Sequence, residues 1–157
     1  MTASSSSAAA EKPRGLILER FAPYRIVALG HAIGGLMSRV YAHENLTVPE
    51  WRVLAVVSQA DRLAARDVVR RTPMDKMTVS RAVASLEAKG YVARATDRND
   101  RRVSMLSLSV SGRALFERVA ARALDAEAEL LAALSPAERA AFDSALAKLE
   151  ARVREAG

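Results

Sequence analysis

The sequence contains no cysteine, and this absence excludes several classes of function. Without a thiol, the chain has no disulfide, no thiolate nucleophile and no cysteine redox sensor. Its two histidines, His31 and His43, are too few for a zinc site unless carboxylates complete it. The sequence also has no phosphate-cradling glycine loop after a strand and no serine placed beside a base. We therefore expect no enzymatic activity, no metal and no cofactor.

Long apolar runs, aromatic residues, glycine and proline are also scarce. No run approaches the roughly 20 apolar residues of a membrane span, and aromatic residues make up 4% of the chain. Alanine, leucine, arginine and glutamate dominate, which favours a mainly helical fold. Residues 1–13 form a polar low-complexity stretch without the features of a signal peptide, so we expect a disordered tail on a cytoplasmic protein. Residues 14–157 are expected to form one domain.

The positive charge of the chain is concentrated in its middle. The formal net charge is +6, and residues 66–102 contribute +5 of it, from ten basic and five acidic side chains. A basic segment inside a nearly neutral frame indicates a polyanionic partner such as nucleic acid. Charge alone is equally compatible with an ordinary solvated surface.

The first predicted helix begins at Pro23 and ends near residues 43–45, because apolar residues recur there at steps of three and four. Glycine inside a helix costs up to about 1 kcal/mol against alanine. The helix nevertheless contains Gly30, Gly34 and Gly35. These glycines indicate either close packing against another helix or room for a small molecule.

Three more helices are predicted before residue 90. Thr47 and Glu50 form a capping box that opens the second helix. A short third helix is expected at residues 63–71, and Pro73 separates it from the fourth. Gly90 ends the fourth helix as a left-handed cap.

Two strands are expected after the fourth helix, at residues 91–96 and 103–110. In the second strand Leu106, Leu108 and Val110 alternate with polar residues, which predicts one apolar face. The hexapeptide DRNDRR, residues 97–102, joins the two strands. The pattern predicts a β-hairpin whose tip is rich in arginine.

Two amphipathic helices are predicted at the C-terminal end. The apolar stripe of the first consists of Phe116, Val119, Ala123, Ala126, Leu130 and Leu134. Ser135, Pro136 and Glu138 have the pattern that opens the second. Its stripe consists of Phe142, Leu146, Leu149 and Val153. The two stripes either pack within the chain or become buried against a second copy of it.

Helix, turn, helix and basic hairpin is the order of a winged helix-turn-helix. The second helix of such a pair enters the major groove and reads base edges with its N-terminal residues. In this sequence those residues are Lys76, Met77, Thr78, Ser80 and Arg81. They combine long cations, short hydroxyls and one apolar side chain suited to a thymine methyl group. The hairpin tip would lie beside the adjacent minor groove, whose negative potential favours arginine.

Three segments in the expected order resemble the MarR family of transcriptional regulators. They are LTVPEWRVL (46–54), DKMTVSRAVASLEAKGYVAR (75–94) and DRNDRRVSMLSLSVSG (97–112). Within the third, the wing signature of the family is matched by Asp97, Asp100, Arg101 and Arg102. Ser109 stands where the family usually has threonine, and it keeps the capping hydroxyl. The resemblance covers most of the chain, from about residue 16 onward.

The resemblance implies a homodimer that binds a pseudo-palindromic operator in double-stranded DNA. Residues 14–45 and 112–157 would form the helical dimerisation layer, and residues 46–111 the winged helix-turn-helix lobe. Many relatives bind a small aromatic anion between these parts, which weakens DNA binding. We therefore expect a repressor that such a ligand releases, without any association with a membrane.

The predicted DNA contacts lie on the helix-turn-helix and on the wing. They are Arg70, Lys76, Thr78, Ser80, Arg81, Arg98, Arg101 and Arg102. Asp97 and Asp100 are expected to orient the wing arginines through charge-assisted hydrogen bonds, since carboxylates do not favour phosphate. Either Arg98 or Arg101 would enter the minor groove, and Arg102 would form a structural ion pair at the wing base. Arg70 meets phosphate or faces solvent.

The candidate effector site consists of Arg39, His43 and Trp51. Arg39 and His43 are four residues apart and share a helix face, where together they would hold a carboxylate. Each also has an ordinary explanation, Trp51 as a core residue and His43 as a favourable charge at a helix C-terminus. A second function stays open, that of a non-specific architectural DNA-binding protein with phosphate contacts but no base readout.

Overall fold

The computed structural model describes residues 15–97 and 100–156. The described residues form six α-helices: α1 (Ala22–Ala42), α2 (Val48–Val57), α3 (Ala65–Arg71), α4 (Lys76–Ala88), α5 (Val110–Leu131) and α6 (Pro136–Ala156). They also form three short strands: β1 (Leu63–Ala64), β2 (Val92–Thr96) and β3 (Ser104–Leu108). The predicted class, mainly α with a small β wing, is confirmed. The predicted tail at residues 1–13 lies outside the described residues.

The chain divides inside α1 into two compact units, one up to Gly35 and one from Leu36 onward. In the first unit large apolar side chains are exposed: Leu16, Ile17, Leu18, Phe21, Tyr24, Ile26, Val27 and Leu29. A Cβ added at any of its three helical glycines would meet no atom within 4 Å in the described part of the chain. Among the described residues of the first unit, no neighbouring atom requires glycine at these positions.

The hydrophobic core lies in the second unit, between α2, α3, α4, the sheet and the first turns of α5. Its fully buried side chains are Val53, Leu54, Val57, Val68, Val83, Leu86, Leu106, Leu115 and Val119. Full burial of one such side chain stabilises a fold by about 1.5–3 kcal/mol. Burial of this cluster is therefore the main stabilising contribution to the helix-turn-helix and its wing.

The predicted helix boundaries follow from local capping chemistry. The Thr47 side chain accepts from the Glu50 amide at 3.4 Å, and the Glu50 carboxylate accepts from the Thr47 amide at 2.7 Å, which confirms the capping box of α2. Ser135 and Glu138 form the same reciprocal arrangement before α6. Gly90 has φ +74° and ends the α4 region in the left-handed conformation, as predicted.

The sheet has three antiparallel strands in the order β1-β3-β2, one more than the sequence pattern predicted. Leu63 and Ala64 pair with Leu106 and Met105 of β3, so the prediction of helix from residue 63 was wrong at its first two positions. The hairpin of β2 and β3 is confirmed. Val110 was also wrongly predicted, because the strand ends at Leu108 and Val110 begins α5 with 90% of its surface exposed.

The junction between the wing and α5 depends on a close backbone approach. Ser109 caps α5 by accepting from the Gly112 amide at 2.9 Å, and its own hydroxyl donates to the Gly90 carbonyl at 2.6 Å. A Cβ at Gly112 would lie 1.9 Å from the carbonyl oxygen of Tyr91. No side chain fits at that distance, so Gly112 allows α5 to start directly beside the first residues of the wing.

Candidate nucleic-acid interface

Helix α4 begins with a cap that involves one of the predicted DNA contacts. Asp75 accepts from the Thr78 amide at 2.8 Å and from the Thr78 hydroxyl at 2.9 Å. These two hydrogen bonds lower the pKa of Asp75 below its ordinary value, because they favour the ionised carboxylate. The Thr78 hydroxyl thus donates to its own helix cap and is left to accept a hydrogen bond from a donor group of a base. The preceding aspartate was a signal in the sequence for this cap.

The outward face of α4 follows from the positions it buries. Val79, Ala82, Val83 and Leu86 are buried and define the inner face. At about 100° per residue, Met77, Arg81 and Ala84 lie on the opposite side. All three are exposed, as are Lys76 and Ser80 beside them. Four of the predicted DNA contacts, counting Thr78 at the flank, therefore share the N-terminal half of one helix with an exposed methionine.

Ser85, further along the helix, lies at the side of α4 and is partly buried. Its hydroxyl donates to the Glu50 carboxylate at 2.6 Å. Lys89 also donates to Glu50, at 2.7 Å, and to the carbonyl of Asn45 at 2.9 Å. These contacts connect the end of α4 to the beginning of α2, so they fix the position of α4 within the lobe.

Glu50 is only 2% exposed and carries the charge of this network. Burial raises the pKa of its carboxyl group, but hydrogen bonds from Lys89, Ser85 and Thr47 lower it more strongly, to about 2. Glu50 is therefore ionised in the folded protein at any ordinary pH. Sequence reasoning assigned it to the helix cap alone and missed the ion pair with Lys89.

A second ion pair connects α4 to the wing. The guanidinium of Arg94 in β2 donates to both carboxylate oxygens of Glu87, with its closest contact at 2.9 Å, and to the hydroxyl of Ser104 at 3.1 Å. This is the position at which an ion pair had been predicted for Arg102. Arg102 itself is exposed near the tip of the wing. Its ion pair at the wing base stays a prediction, and in the described residues Arg94 forms an ion pair there with Glu87.

The two wing aspartates hold the backbone of the turn. Asp97 accepts from the Asp100 amide at 3.1 Å, and Asp100 accepts from the Arg102 amide at 2.9 Å. Arg101 lies exposed between these hydrogen-bonded positions. Orientation of the arginine side chains by the aspartates stays a prediction. Arg98, the other candidate for the minor groove, lies outside the described residues.

Arg70 lies at the last turn of α3, with 77% of its side chain exposed. Its guanidinium is 3.5 Å from the carboxylate of Asp67, one turn earlier on the same helix. Such an exposed pair contributes little to stability, about 0–1 kcal/mol. Arg70 therefore stays available to an external phosphate, as one of its two predicted roles requires.

Two of the three candidate effector residues line a common groove. It has a volume of about 680 Å³ and is lined by Leu36, Arg39, Val40, His43, Arg122, Ala126 and Glu129. Trp51 lies elsewhere: its ring stacks between Tyr41 and Phe116 at centroid distances of 5.9 and 5.8 Å. The sequence could not associate Arg122 and Glu129 with Arg39, because α5 follows α1 only after the whole winged lobe.

A carboxylate next to the groove engages one of its cations. Glu44 accepts from Arg118 at 3.1 Å and lies 3.6 Å from Arg122. The hydrogen bond from Arg118, reinforced by both guanidinium charges, lowers the pKa of Glu44 below its ordinary value. The loop before α2 is thereby connected to α5 at the same end of the groove.

The fold and this surface define a winged helix-turn-helix DNA-binding protein. A model of the MarR family matches residues 44–103. The chain is 34% identical over 92 residues to the HTH-type transcriptional regulator TtmR of Methylorubrum extorquens, covering 59% of this chain and 47% of that protein. It is 28% identical over 126 residues to the HTH-type transcriptional repressor Rv2887 of Mycobacterium tuberculosis, covering 80% of this chain and 91% of that protein.

Solved structures of MarR-family regulators have the same fold. A MarR/EmrR family regulator from Acinetobacter superposes with a TM-score of 0.80 at 27% identity, covering 89% of this chain and 99% of that one. The fold is shared by Escherichia coli MarR in complex with operator DNA, with a TM-score of 0.76 at 22% identity, covering 86% of this chain and 98% of that one. It is also shared by Bordetella bronchiseptica BpsR, a protein whose DNA binding is regulated by 6-hydroxynicotinic acid, with a TM-score of 0.78 at 24% identity, covering 87% of this chain and 97% of that one. The matched segment, residues 44–103, is similar to the winged helix-turn-helix of the MarR family, and the curated relatives named here are transcriptional regulators.

Among the described residues, no helix is both long and apolar enough to cross a membrane.

Proposed function

We propose that the protein is a homodimeric, sequence-specific repressor, acting on chromosomal DNA in the cytoplasm and released by a small aromatic anion. The observation that carries the proposal is the exposed N-terminal half of α4, which presents Lys76, Ser80 and Arg81 away from a closed core. The wing stands beside it on the Glu87–Arg94 ion pair. In this arrangement α4 enters the major groove of an operator, and the wing meets the flanking minor groove.

Unpartnered apolar side chains support the homodimer. None of the described residues of α6 is buried in the protomer. Its stripe is exposed over 42–73% of each side chain: Phe142, Leu146, Leu149 and Val153. Together with the exposed apolar residues at positions 16–29, this exceeds what a monomer leaves in water and fits an interface between two copies. Residues 14–45 and 112–157 are accordingly proposed as the dimerisation layer, with residues 46–111 as the DNA-binding lobe.

The groove beside Arg39 and His43 supports an anionic effector. Its volume is within the usual range of small-molecule sites, about 300–1,000 Å³. Arg39, His43 and Arg122 supply donors for a carboxylate, while Leu36 and Val40 supply apolar surface for a ring. An effector held there lies against both α1 and α5. Binding of the effector is expected to change how α1 and α5 position the DNA-binding lobe.

Sequence-specific binding is tested by comparing two duplexes at one salt concentration. One is the DNA upstream of the protein's own gene, and the other has the same composition in scrambled order. We expect wild-type protein to prefer the first by a thousandfold or more, within the range of about 10³–10⁷ for specific regulators. Arg81→Ala should lose about 1–3 kcal/mol on the operator only, while the exposed Arg139→Ala on α6 should bind both duplexes as the wild type does.

Equal affinity for both duplexes would favour the alternative, a non-specific architectural protein, because phosphate contacts alone do not distinguish sequences. The homodimer is tested by sedimentation of Leu146→Glu, which should be monomeric. Ser144→Glu places the same charge on the opposite side of α6 and should stay dimeric. A monomeric wild type at micromolar concentration would contradict the dimer.

Repression and effector release are tested with a reporter fused to the upstream DNA. Expression should rise when the gene for this protein is deleted, and a fall would instead indicate an activator. Aromatic acids, with 6-hydroxynicotinic acid among the probes, should dissociate the wild-type complex. Arg39→Gln should raise the ligand concentration needed while leaving operator affinity unchanged. Release that is identical in this variant would exclude Arg39 from the effector site.

A further inference from the structure

We propose that Met77 is a specificity-determining residue, whose side chain packs against the C5 methyl group of a thymine in the operator. The inference rests on the proposed sequence-specific DNA binding and goes further, because it assigns one residue to one chemical group of one base. Met77 is the second residue of α4 and 61% of its surface is exposed.

The position of Met77 on α4 directs it to the floor of the groove. With about 100° between successive residues, it lies roughly opposite the buried Val79 and Leu86. Arg81 follows one turn later on the same side, so the two side chains would reach neighbouring base pairs. Lys76 lies nearer the edge of the helix, where a phosphate is the natural partner.

Other side chains of α4 that could contact a base are already hydrogen-bonded within the protein or are too short. Thr78 donates its hydroxyl to the cap residue Asp75, and Ser85 donates to the buried carboxylate of Glu50. Ala84 is on the outward face but is short. Among the described residues of α4, Met77 is the one large hydrophobic side chain that is exposed.

The chemistry of the major groove selects the partner. Thymine is the only base that presents an apolar group there, its C5 methyl, while the other edges present hydrogen-bond donors and acceptors. A flexible thioether side chain adapts its shape to such a methyl group and makes no hydrogen bond to compete with it. A methionine at this position therefore favours thymine without constraining the direction of approach.

The experiment removes the methyl group from the DNA and leaves everything else in place. Full-length protein is used to select its preferred duplex from random-sequence DNA, and each thymine of one half-site is then replaced singly by uracil. For wild-type protein we expect one thymine at which uracil lowers the affinity about fourfold, the effect of burying one methyl group. Met77→Leu should retain this sensitivity, and Met77→Gln, of similar helix propensity, should lose it.

Two results would overturn the proposal. Uracil without effect at every thymine would show that the protein reads no methyl group, and equal sensitivity in wild type and Met77→Gln would assign the methyl contact to another residue. Lys76→Ala is the matched control, expected to bind more weakly to all duplexes while keeping the uracil effect. Should the selection yield no preferred sequence, both this inference and the proposed function fall, whereas a clear preference without a uracil effect removes only the inference.

Discussion

The buried carboxylate of Glu50 should make the stability of the protein depend on pH in a defined window. Its pKa falls from 4.5 in the unfolded chain to about 2 in the folded protein. A shift of one pKa unit corresponds to about 1.4 kcal/mol, so ionisation of this group contributes on the order of 3 kcal/mol. Because the folded pKa is the lower one, the contribution is fully present above about pH 4.5 and is lost as the pH falls towards 2.

The assay is urea unfolding followed by the fluorescence of Trp51, the single tryptophan of the chain. Its ring lies in the stack with Tyr41 and Phe116, so unfolding changes its environment. Wild type and Glu50→Gln are compared from pH 7 to pH 3 at one protein concentration, since dimerisation would make stability concentration-dependent. The variant should be less stable by about 3 kcal/mol at pH 7, and this difference should shrink as the pH is lowered.

An exposed glutamate provides the control for this comparison. Glu127 lies exposed on α5, and Glu127→Gln should follow the wild type closely at every pH. A difference between wild type and Glu50→Gln that stays constant from pH 7 to pH 3 would refute the reasoning, because the loss would then arise from packing or hydrogen bonding and not from the charge. A difference near zero at pH 7 would show that the network with Lys89 and Ser85 does not stabilise the fold.

Three further outcomes follow from contacts around the wing. Gly112→Ala should destabilise the protein by about 1–3 kcal/mol or more in thermal unfolding, since its Cβ would overlap the Tyr91 carbonyl; an unchanged melting temperature would contradict the close approach. Arg94→Ala should cost about 0–1 kcal/mol of stability, because its pair with Glu87 is partly exposed, yet weaken operator binding measurably. If binding is unaffected, the pair does not position the wing. Arg101→Ala should lower the salt dependence of DNA binding by about 0.9 in the logarithmic slope, and an identical slope would remove Arg101 from the phosphate contacts.

Local chemistry made much of the fold predictable. Helix starts at Thr47 and Ser135 depend on residues within four positions of each other, and so does the left-handed end at Gly90. The wing follows from a period of two in β3 and from turn residues between the strands. In each case the residues that determine the local structure lie within a few positions of it in the sequence. The sequence pattern was therefore sufficient to predict it.

Contacts between residues that are far apart in the sequence could not be predicted. Strand β1 has two residues, too few to show a period, and it exists because Leu63 pairs with Leu106. Ser85 and Lys89 reach Glu50 across 35 and 39 positions, so the capping pattern around Glu50 did not reveal its second role. The C-terminal end of β3 was mispredicted for a related reason. Val110 continues the alternation of apolar and polar residues, but the cap formed by Ser109 has already begun α5.

These distant contacts change what the basic middle of the chain means. Of the ten cations between residues 66 and 102, Arg70 forms an exposed ion pair with Asp67 within its own helix. Lys89 and Arg94 form ion pairs between elements, with Glu50 and Glu87. Both pairs lie at the C-terminal end of α4: Lys89 directly follows the helix and binds Glu50 of α2, while Glu87 in its last turn binds Arg94 of the wing. The two pairs therefore hold the helix whose outward face carries Arg81 against α2 and the wing. The net charge of the segment therefore overestimates the positive charge that would face DNA, because the cations in these ion pairs are neutralised within the protein. Their ion pairs hold the exposed cations in a fixed orientation. Reading of bases depends on that orientation more than on additional charge.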